Sequence, residues 1–445
     1  MSRRIAIVGA GLSGSLMALY LGELGHRVRV YERRPDPRSD AAAKGSRSIN
    51  LGLSKRGIDA LAKAGVLDEV LARAVPMRGR VVHTGGRAPR FQPYGVSEDQ
   101  VLHSILRHDL NGVLIDAASR QSTVEFQFDV SLTRLEPEGP VATFRDEAGG
   151  TTFEVDADLV IGADGAFSAV RAHLLAGRSS DFHQEFLEWG YKELTIPARA
   201  DGTPAVRLDA LHVWPGDDGL IVAHPNQDCS LTATLFLAME GPVSFADLVS
   251  PSAVADYLAR TFPDAVPLMP GAVAEFGRNP VGTLVTIRTS TWHHEDKVVL
   301  VGDACHAVYP FYGQGMNSAL EDCATLTDCL VGSGEDWTAG LAAYQRLRKI
   351  NTDVLADLSK QNFVELRDRT RSLYHVLRAK ADLALHRFFP RSWVPLYTMV
   401  SHSATPYAVA RARSRRQDRI FAVTCAGAGV LAFTLVRSFS RRRRT

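Results

Sequence analysis

A glycine pattern near the amino terminus constrains the fold more than any other feature of the chain. Gly9, Gly11 and Gly14 follow the apolar run Ile5–Val8 and precede an apolar stretch with helical spacing. In a strand–turn–helix unit, Gly9 permits a tight turn, Gly11 lets a pyrophosphate approach the backbone, and Gly14 lets the helix pack closely on the strand. The sequence therefore predicts a βαβ opening that binds a dinucleotide.

An acidic residue at the end of the second predicted strand supports this interpretation. Residues 27–32 alternate in polarity like a strand, and Glu32 ends them. A carboxylate there can accept hydrogen bonds from both ribose hydroxyls, and it disfavours a 2′-phosphate. The helix after the glycines offers free amide N–H groups and the positive end of its dipole to the phosphates.

Two further motifs indicate which dinucleotide is bound. Asp164-Gly165 and Gly302-Asp303 each follow an apolar strand, and Gly313 and Gly315 then open a helix. An aspartate at such a strand end can accept from a ribityl hydroxyl, and a helix N-terminus stabilises negative charge on a reduced flavin. Each motif alone could be an ordinary turn. Together and in this order they resemble the single-component, group A FAD-dependent aromatic hydroxylases, in which NAD(P)H has no Rossmann domain of its own.

Short alternating strands interrupt the nucleotide-binding pattern, as at residues 208–214, 219–223 and 230–237. We therefore expect an α/β fold: a discontinuous Rossmann-like FAD-binding domain, an inserted and mostly antiparallel β-sheet substrate layer, and a C-terminal helical region. The predicted limits are 1–185 for the first part of the FAD-binding domain, 186–290 for the sheet layer, 291–345 for the return of the FAD-binding domain, 346–405 for helices that close the substrate site, and 406–445 for a basic tail.

Charge is distributed unevenly along the chain. Residues 407–445 contain ten Arg and one Asp, so they carry +9, which leaves −7 for the rest of a chain whose net charge is +2. A mildly acidic body gives no reason to expect nucleic acid as a partner. Five Cys without a CxxC pair favour a reducing compartment and exclude the usual zinc spacings.

The tail contains a segment of 17 residues without a charge, residues 420–436, with Arg on both sides. As a helix it would span about 26 Å, slightly less than the hydrocarbon core of a bilayer. We expect a membrane anchor on the cytoplasmic side, or a helix that lies on anionic lipid. A buried C-terminal helix is the alternative.

Stretches outside the flavin motifs resemble the kynurenine 3-monooxygenase family. They are residues 45–57, 76–83, 93–95, 310–317, 357–362 and 395–400. The resemblance implies hydroxylation of L-kynurenine to 3-hydroxy-L-kynurenine with NADPH and O₂ through a flavin C4a-hydroperoxide, in tryptophan degradation by the kynurenine pathway. Because the flavin carries the chemistry, no catalytic side chain is expected, and we interpret His306 as a structural residue near the flavin edge.

The same resemblance assigns site residues. It implies a clamp for the substrate carboxylate, formed by Arg80, Tyr94, Asn362 and Tyr397. With the glycine, aspartate and helix-start motifs, the predicted FAD contacts are Gly9, Gly11, Ser13, Gly14, Glu32, Arg33, Arg107, Leu132, Asp164, Ala169, Asp303, Gly315, Met316 and Asn317. The chain departs from the family pattern at Gly52, Cys305 and Tyr312, which puts fine tuning in doubt rather than the assignment.

Other functions remain open at this point. The substrate could be another anionic aromatic, such as a salicylate or a hydroxybenzoate. A flavin-dependent reductase or halogenase can use the same fold, although no Trp-rich halogenase signature is present. A non-enzymatic, membrane-tethered flavin-binding protein is a further alternative.

Overall fold

A mostly parallel β-sheet organises the first part of the chain in this computed structural model. The structure describes residues 2–39, 49–84, 86, 88–95, 97, 100–368 and 373–442. For residues 365–368, 373–377, 379–380, 383 and 425–442 only the backbone is described. Contacts divide the chain into two units, Met1–Ser372 and Leu373–Thr445.

The elements follow in chain order. The strands are β1 (Arg4–Val8), β2 (Arg27–Tyr31), β3 (Asn50–Leu53), β4 (Val75–Met77), β5 (Gly79–Val82), β6 (Arg90–Pro93), β7 (Leu102–Leu106), β8 (Val124–Gln127), β9 (Val130–Glu136), β10 (Val141–Asp146), β11 (Thr152–Asp156), β12 (Leu159–Gly162), β13 (Phe182–Ile196), β14 (Ala210–Pro215), β15 (Gly219–Pro225), β16 (Leu231–Ala238), β17 (Gly282–Thr289), β18 (His293–His294) and β19 (Val298–Leu300). The helices are α1 (Leu12–Glu23), α2 (Lys55–Lys63), α3 (Leu67–Leu71), α4 (Arg107–Ser119), α5 (Ala169–Leu175), α6 (Pro251–Thr261), α7 (Ala272–Arg278), α8 (Asp303–His306), α9 (Gly315–Gly332), α10 (Trp337–Asp368), α11 (Leu373–Phe388), α12 (Leu396–Ser401) and α13 (Tyr407–Arg442). Short 3-10 turns occupy Val266–Leu268 and Pro310–Tyr312.

The central sheet has the strand order β18-β19-β12-β1-β2-β8. All of its pairs are parallel except β18 with β19. The register pairs Val8 with Gly162, and Gly162 with Leu300. The carboxyl ends of β1, β12 and β19 therefore lie side by side, and the three loops that carry the glycine and aspartate motifs leave the sheet at one edge, where α/β proteins bind nucleotides.

A second, seven-stranded sheet has the order β17-β13-β16-β15-β14-β5-β6. Its pairs are antiparallel except β14 with β5. One face packs on α6 and α7, with Trp214, Ile221 and Leu235 buried beneath the helices. The predicted fold class, with a mostly antiparallel sheet inserted into a discontinuous nucleotide-binding fold, is confirmed. β5 and β6 come from before the predicted sheet layer, and the predicted domain limits stay a prediction.

Two smaller sheets complete the first unit, with strand orders β11-β10-β9 and β3-β7-β4. The helices α9 and α10 pack on the central sheet, and they bury Leu320, Leu326 and Tyr344 in its core. Apolar side chains at helical spacing account for this packing.

The second unit contains α11, α12 and α13, with Tyr407 and Ala410 buried. Among the residues that the structure describes, no helix is long and apolar enough to cross a membrane. The side chains of residues 425–436, most of the predicted anchor, lie outside the described part. The membrane anchor expected over residues 420–436 stays a prediction.

Candidate active site

The glycine turn between β1 and α1 leaves no room for side chains at two of its three positions. Gly9 has a φ of +103°, and a Cβ there would lie 2.5 Å from the carbonyl oxygen of Ala163. A Cβ on Gly14 would lie 1.9 Å from the carbonyl oxygen of Gly9. At Gly11, by contrast, a Cβ would meet no atom within 4 Å. Gly11 thus presents bare backbone to open space, as a phosphate site requires.

The carboxylate of Glu32 is buried against this turn, with the residue 7% exposed. One oxygen accepts the amide N–H of Ala10 at 2.9 Å. The other accepts the amide and the Nε–H of Arg34, at 3.1 and 2.8 Å. These bonds fix the acceptor beside the turn, where the family motif positions a ribose.

Two predicted FAD contacts lie away from this carboxylate. Arg33 is exposed, and Arg34 rather than Arg33 lines the adjoining cavity. Leu132 on β9 is half-buried and packs against the core of the central sheet. Both contacts stay predictions.

A cavity of about 800 Å³ separates the glycine turn from the seven-stranded sheet. Its lining includes Gly11, Glu32 and the exposed Arg107 at the start of α4 on one side, and Tyr191 and Gly282 on the other. This volume is within the range of cofactor sites. Bare glycine backbone, a fixed carboxylate and a guanidinium at a helix N-terminus are the groups that FAD needs for its ribose and phosphates, so the residues present fit FAD.

The carboxylate of Asp164 caps helix α5. Its oxygens accept the amide N–H groups of Ala169 and Val170, at 2.7 and 3.1 Å, and the hydroxyl of Ser168. Burial raises the pKa of Asp164, against the effect of these hydrogen bonds. The predicted FAD contacts Asp164 and Ala169 are therefore bonded to each other, and they hold the shape of the loop.

Arg171 joins the second motif to the third. Its guanidinium is buried and donates to the carbonyl oxygens of Ala166 and Ala304, both at 2.7 Å. Gly302, with a φ of +61°, lies so close to α1 that a Cβ would stand 2.6 Å from Oγ of Ser13. The carboxyl-edge loops thus meet around Ser13, and the exposed Asp303 follows directly.

The start of α9 supplies the last predicted FAD contacts. Asn317 is fully buried, accepts the amide N–H of Ser54 at 2.8 Å, and donates to the carbonyl oxygens of Gly52 and Gly313 at 2.8 and 3.0 Å. Met316 packs, half-buried, against the core. Since the Asn317 side chain is fully used, the groups left for a flavin are backbone amides of the first helical turn, which begins at Gly315.

The second face of the seven-stranded sheet carries Arg80, and we call it the substrate face. Cross-strand pairs place Arg80 beside Gln92 and Leu211, and Nε of Arg80 donates to Oε1 of Gln92 at 2.9 Å. Leu211 packs with an apolar cluster that includes Phe236 and Phe311. The exposed guanidinium therefore stands at the border of an aromatic-lined region.

Three other residues were predicted to complete the carboxylate clamp. Tyr94 follows β6 directly and is 7% exposed. Asn362 on α10 donates from Nδ2 to the carbonyl oxygen of Phe311 at 2.7 Å, so it fixes the turn at Pro310–Tyr312. Tyr397 belongs to α12 in the second unit. The structure thus relates Arg80, Tyr94 and Asn362 to one sheet and its adjoining turn, and Tyr397 remains a prediction.

Known proteins with similar sequences identify the family to which this site belongs. A family model described as an FAD binding domain matches residues 3–357. The chain is 54% identical to kynurenine 3-monooxygenase of Salinispora arenicola over 445 residues, which cover 99% of this chain and 98% of that protein. The chain belongs to the kynurenine 3-monooxygenase family. The identically named proteins of Myxococcus xanthus and Dictyostelium discoideum are 40% and 37% identical, over 91% and 92% of this chain and 87% and 90% of their own lengths.

Solved structures agree with this kynurenine 3-monooxygenase family fold. The tetrameric form of 2-methyl-3-hydroxypyridine-5-carboxylic acid oxygenase has a TM-score of 0.67 at 20% identity, with 83% of this chain and 94% of that chain covered. Pseudomonas aeruginosa PqsL in complex with 2-aminobenzoylacetate has a TM-score of 0.68 at 23% identity, with 83% and 98% covered. At these identities the likeness establishes the fold alone.

This family member also contains a buried charge network that sequence reasoning missed. Oδ1 of Asp322 accepts Nε–H of Arg348 at 2.6 Å, and Oδ2 accepts the amide N–H of Gly302 at 3.2 Å and pairs with Nε2 of His306. Glu321 pairs with Arg348 and with Arg56 of α2. One carboxylate therefore ties α9 and α10 to the loop that carries Asp303, and His306 is a buried partner in it.

The electrostatics of Asp322 follow from its neighbours. Burial alone would raise the pKa of this carboxyl group, but the facing His306 and Arg348 lower it below its ordinary value. A signal for the network was present in the sequence, because Asp322 lies at helical spacing among the apolar residues Ala319, Cys323 and Leu326. A carboxylate on the apolar stripe of a helix needs buried partners.

Proposed function

We propose that the chain is an FAD-dependent monooxygenase that converts L-kynurenine to 3-hydroxy-L-kynurenine with NADPH and O₂. The observation that carries this proposal is the position of Arg80. Arg80 stands on the substrate face, next to Leu211 and the aromatic cluster that contains Phe311. Phe311 lies in the turn Pro310–Tyr312, and the predicted FAD motif at Gly313 and Gly315 follows this turn directly. The names of the relatives support the same reaction.

Arg80 would hold the amino-acid end of the substrate. A guanidinium offers a planar pair of N–H donors to a carboxylate, and Gln92 keeps its Nε oriented at 2.9 Å. The hydroxyl of Tyr94 adds a donor nearby, and Asn362 acts through the Phe311 carbonyl that it binds. Binding at this end is directional, which fixes the position of the rest of the molecule.

The apolar cluster would receive the aromatic ring. Phe311 lies 5.2 Å from the ring of Phe236 and 4.7 Å from that of Phe363, and Leu211 and Val222 pack against the same cluster. Such a surface excludes water from the reacting carbon. Bound FAD supplies hydride acceptance from NADPH and the activation of O₂. The chain orients the substrate and excludes water from the reacting carbon. The ring amine of kynurenine already raises the electron density at the ring carbon ortho to it.

Hydroxylation of a salicylate or a hydroxybenzoate is the less favoured alternative. No observation specific to those compounds supports it, and the relatives in three organisms carry the kynurenine name.

Purified holoenzyme should oxidise NADPH faster when L-kynurenine is added, and chromatography should identify 3-hydroxykynurenine as the product. Salicylate and 4-hydroxybenzoate serve as controls and should give neither stimulation nor hydroxylated product. Stimulation by either control with no reaction of kynurenine would replace the proposal with the alternative.

The basic tail carries a separate proposal, peripheral association with anionic lipid. Its support lies in the arginines before residue 420 and in Ile420 and Val423, which are 49% and 73% exposed. Full-length protein should sediment with phosphatidylserine vesicles, and a chain that ends at residue 418 should not. Equal sedimentation of both proteins would reject this association.

A further inference from the structure

The substrate face continues beyond Arg80 across two more strands. Leu211 on β14 pairs with Arg80 on β5, and the next residue, His212, pairs with Ala223 on β15. Continuing this antiparallel register by one residue sets His224 opposite Leu211. Because neighbouring strands are about 4.8 Å apart, the Cα atoms of Arg80 and His224 are separated by about 10 Å across the sheet.

Side-chain alternation gives His224 the same direction as the apolar cluster. Val222 lies two residues earlier on β15 and packs with the cluster that contains Phe236 and Phe311. Residues two apart on a strand point to the same face. His224 therefore stands on the substrate face at the far side of Leu211 from Arg80, between the apolar Leu211 on β14 and Thr232 on β16.

The ring of His224 keeps both nitrogens available. Within the described part of the chain, no hydrogen bond or ion pair engages it, and burial alone lowers its pKa to about 4. Its cross-strand neighbour Thr232 is already used, since Oγ1 accepts Nδ2–H of Asn226 at 3.2 Å. At neutral pH the imidazole is uncharged, with one nitrogen as a donor and the other as an acceptor.

We propose that His224 is a specificity-determining residue whose imidazole accepts a hydrogen bond from the ring amine of the substrate, while Arg80 binds the carboxylate at the opposite end. This inference rests on the proposed function, because its ligand is an amino acid that ends in an ortho-aminophenyl ketone. His224 is half-buried, and its imidazole is open to a ligand on the substrate face. A ligand whose amine donates to the imidazole gains a hydrogen bond that the same ligand without the amine cannot make.

The chemistry of an aryl amine suits this partner. Its nitrogen lone pair is delocalised into the ring, so the group is a good donor and a poor acceptor. An uncharged imidazole nitrogen accepts from it without transferring a proton. The bond leaves electron density on the amine nitrogen and on the neighbouring ring carbon. A leucine at this position would offer contact area but no direction.

A double-mutant cycle between protein and ligand tests the inference. Dissociation constants are measured from the change in flavin absorbance of the holoenzyme, without NADPH, for L-kynurenine and for 2-amino-4-oxo-4-phenylbutanoate, which lacks only the ring amine. The proteins are wild type, His224→Leu, His224→Gln, and Val222→Ala as the matched control on the same strand and face.

His224→Leu should weaken kynurenine about tenfold and the desamino compound less than twofold, as expected for one buried hydrogen bond. His224→Gln retains an acceptor and should preserve most of the preference for kynurenine. Val222→Ala should weaken both ligands by the same factor, because it removes only apolar contact.

Equal losses for the two ligands in His224→Leu would overturn the assignment. If that variant fails to retain FAD, His224→Gln decides the question, and an affinity ratio of one between the two ligands rejects the role. Wild-type protein that binds neither ligand and forms no product would reject the proposed function, and this inference with it.

Discussion

The loops after β1, β12 and β19, with the start of α9, form what we call the FAD cradle, and the three loops meet because three parallel strands end at one edge of one sheet. The substrate face, by contrast, joins strands β5, β14, β15 and β16 from separate parts of the chain. The cradle presents mainly backbone groups. Gly9 and Gly14 have no room for a Cβ, and the side chains of Asp164 and Asn317 form hydrogen bonds with neighbouring backbone amides and carbonyls. The substrate face is made of side chains on a regular sheet. We therefore expect changes in the cradle to affect the whole flavoprotein, and changes on the substrate face to affect one ligand.

The largest effect should come from Asp322, on which the cradle depends. Asp322→Asn removes the buried charge that faces His306 and Arg348 and leaves Arg348 with Glu321 alone as its anionic partner, which should lower the free energy of unfolding by about 3–5 kcal/mol. Urea titrations measure this. Asp328→Asn on the same helix is the control, since its carboxylate pairs with Lys63 at the surface and is 71% exposed. Similar losses in the two variants would mean that the network does not hold the cradle.

The difference in stability between wild type and Asp322→Asn should depend on pH. The folded-state pKa of Asp322 lies below its ordinary value of 3.8. Its contribution to stability is therefore complete above about pH 4 and declines as pH falls through the folded-state pKa. The difference in unfolding free energy between wild type and Asp322→Asn should not shrink as pH falls from 7 to 5 and should shrink only below pH 4. A difference that already shrinks near pH 6 would contradict a lowered pKa.

A pair of alanine substitutions in the glycine turn separates packing from cofactor contact. Gly14→Ala forces a Cβ against the carbonyl oxygen of Gly9 and should cost about 3 kcal/mol of stability. Gly11→Ala meets no protein atom, so the fold should persist while FAD affinity falls. Thermal unfolding of the apoprotein and FAD titration measure the two effects. Unchanged FAD affinity in Gly11→Ala would remove the phosphate site from this turn.

On the substrate face, Arg80→Ala should raise the KM for kynurenine about 100-fold, since a charged hydrogen-bonded pair is lost. The flavin spectrum and the unfolding midpoint should not change, because Arg80 is exposed. Arg29→Ala, which removes a surface ion pair with Glu125, is the control and should leave KM unchanged. Loss of FAD in Arg80→Ala would erase the contrast between the two regions.

The smallest expected effect concerns the turn Pro310–Tyr312, which lies between the FAD cradle and the substrate face. Asn362→Ala removes the hydrogen bond to the Phe311 carbonyl and should raise the KM for kynurenine about fivefold, the value of one neutral hydrogen bond. Gln361→Ala, on the exposed side of the same helix, is the control. An unchanged KM in Asn362→Ala would remove Asn362 from the predicted clamp.

Local motifs could be predicted from the sequence, whereas the partners of buried side chains could not. The loops after β1, β12 and β19 were predicted to bind FAD because glycine and aspartate after a strand have local conformational reasons to be there. The roles of Asp164 and Asn317 were less predictable, since each side chain bonds to a neighbouring segment instead of remaining open. Asp322 was missed because the importance of a buried carboxylate lies in partners far along the chain.

The sequence by itself determined the dinucleotide turn, the alternating strands and the family, because each depends on residues near one another in the chain or on motifs read in order. Only the tertiary structure decided that Arg80, Leu211 and His224 share one face of a sheet. The physical reason is that strand pairing fixes the face of every side chain at once, and a shift of one residue in register would turn His224 to the opposite side.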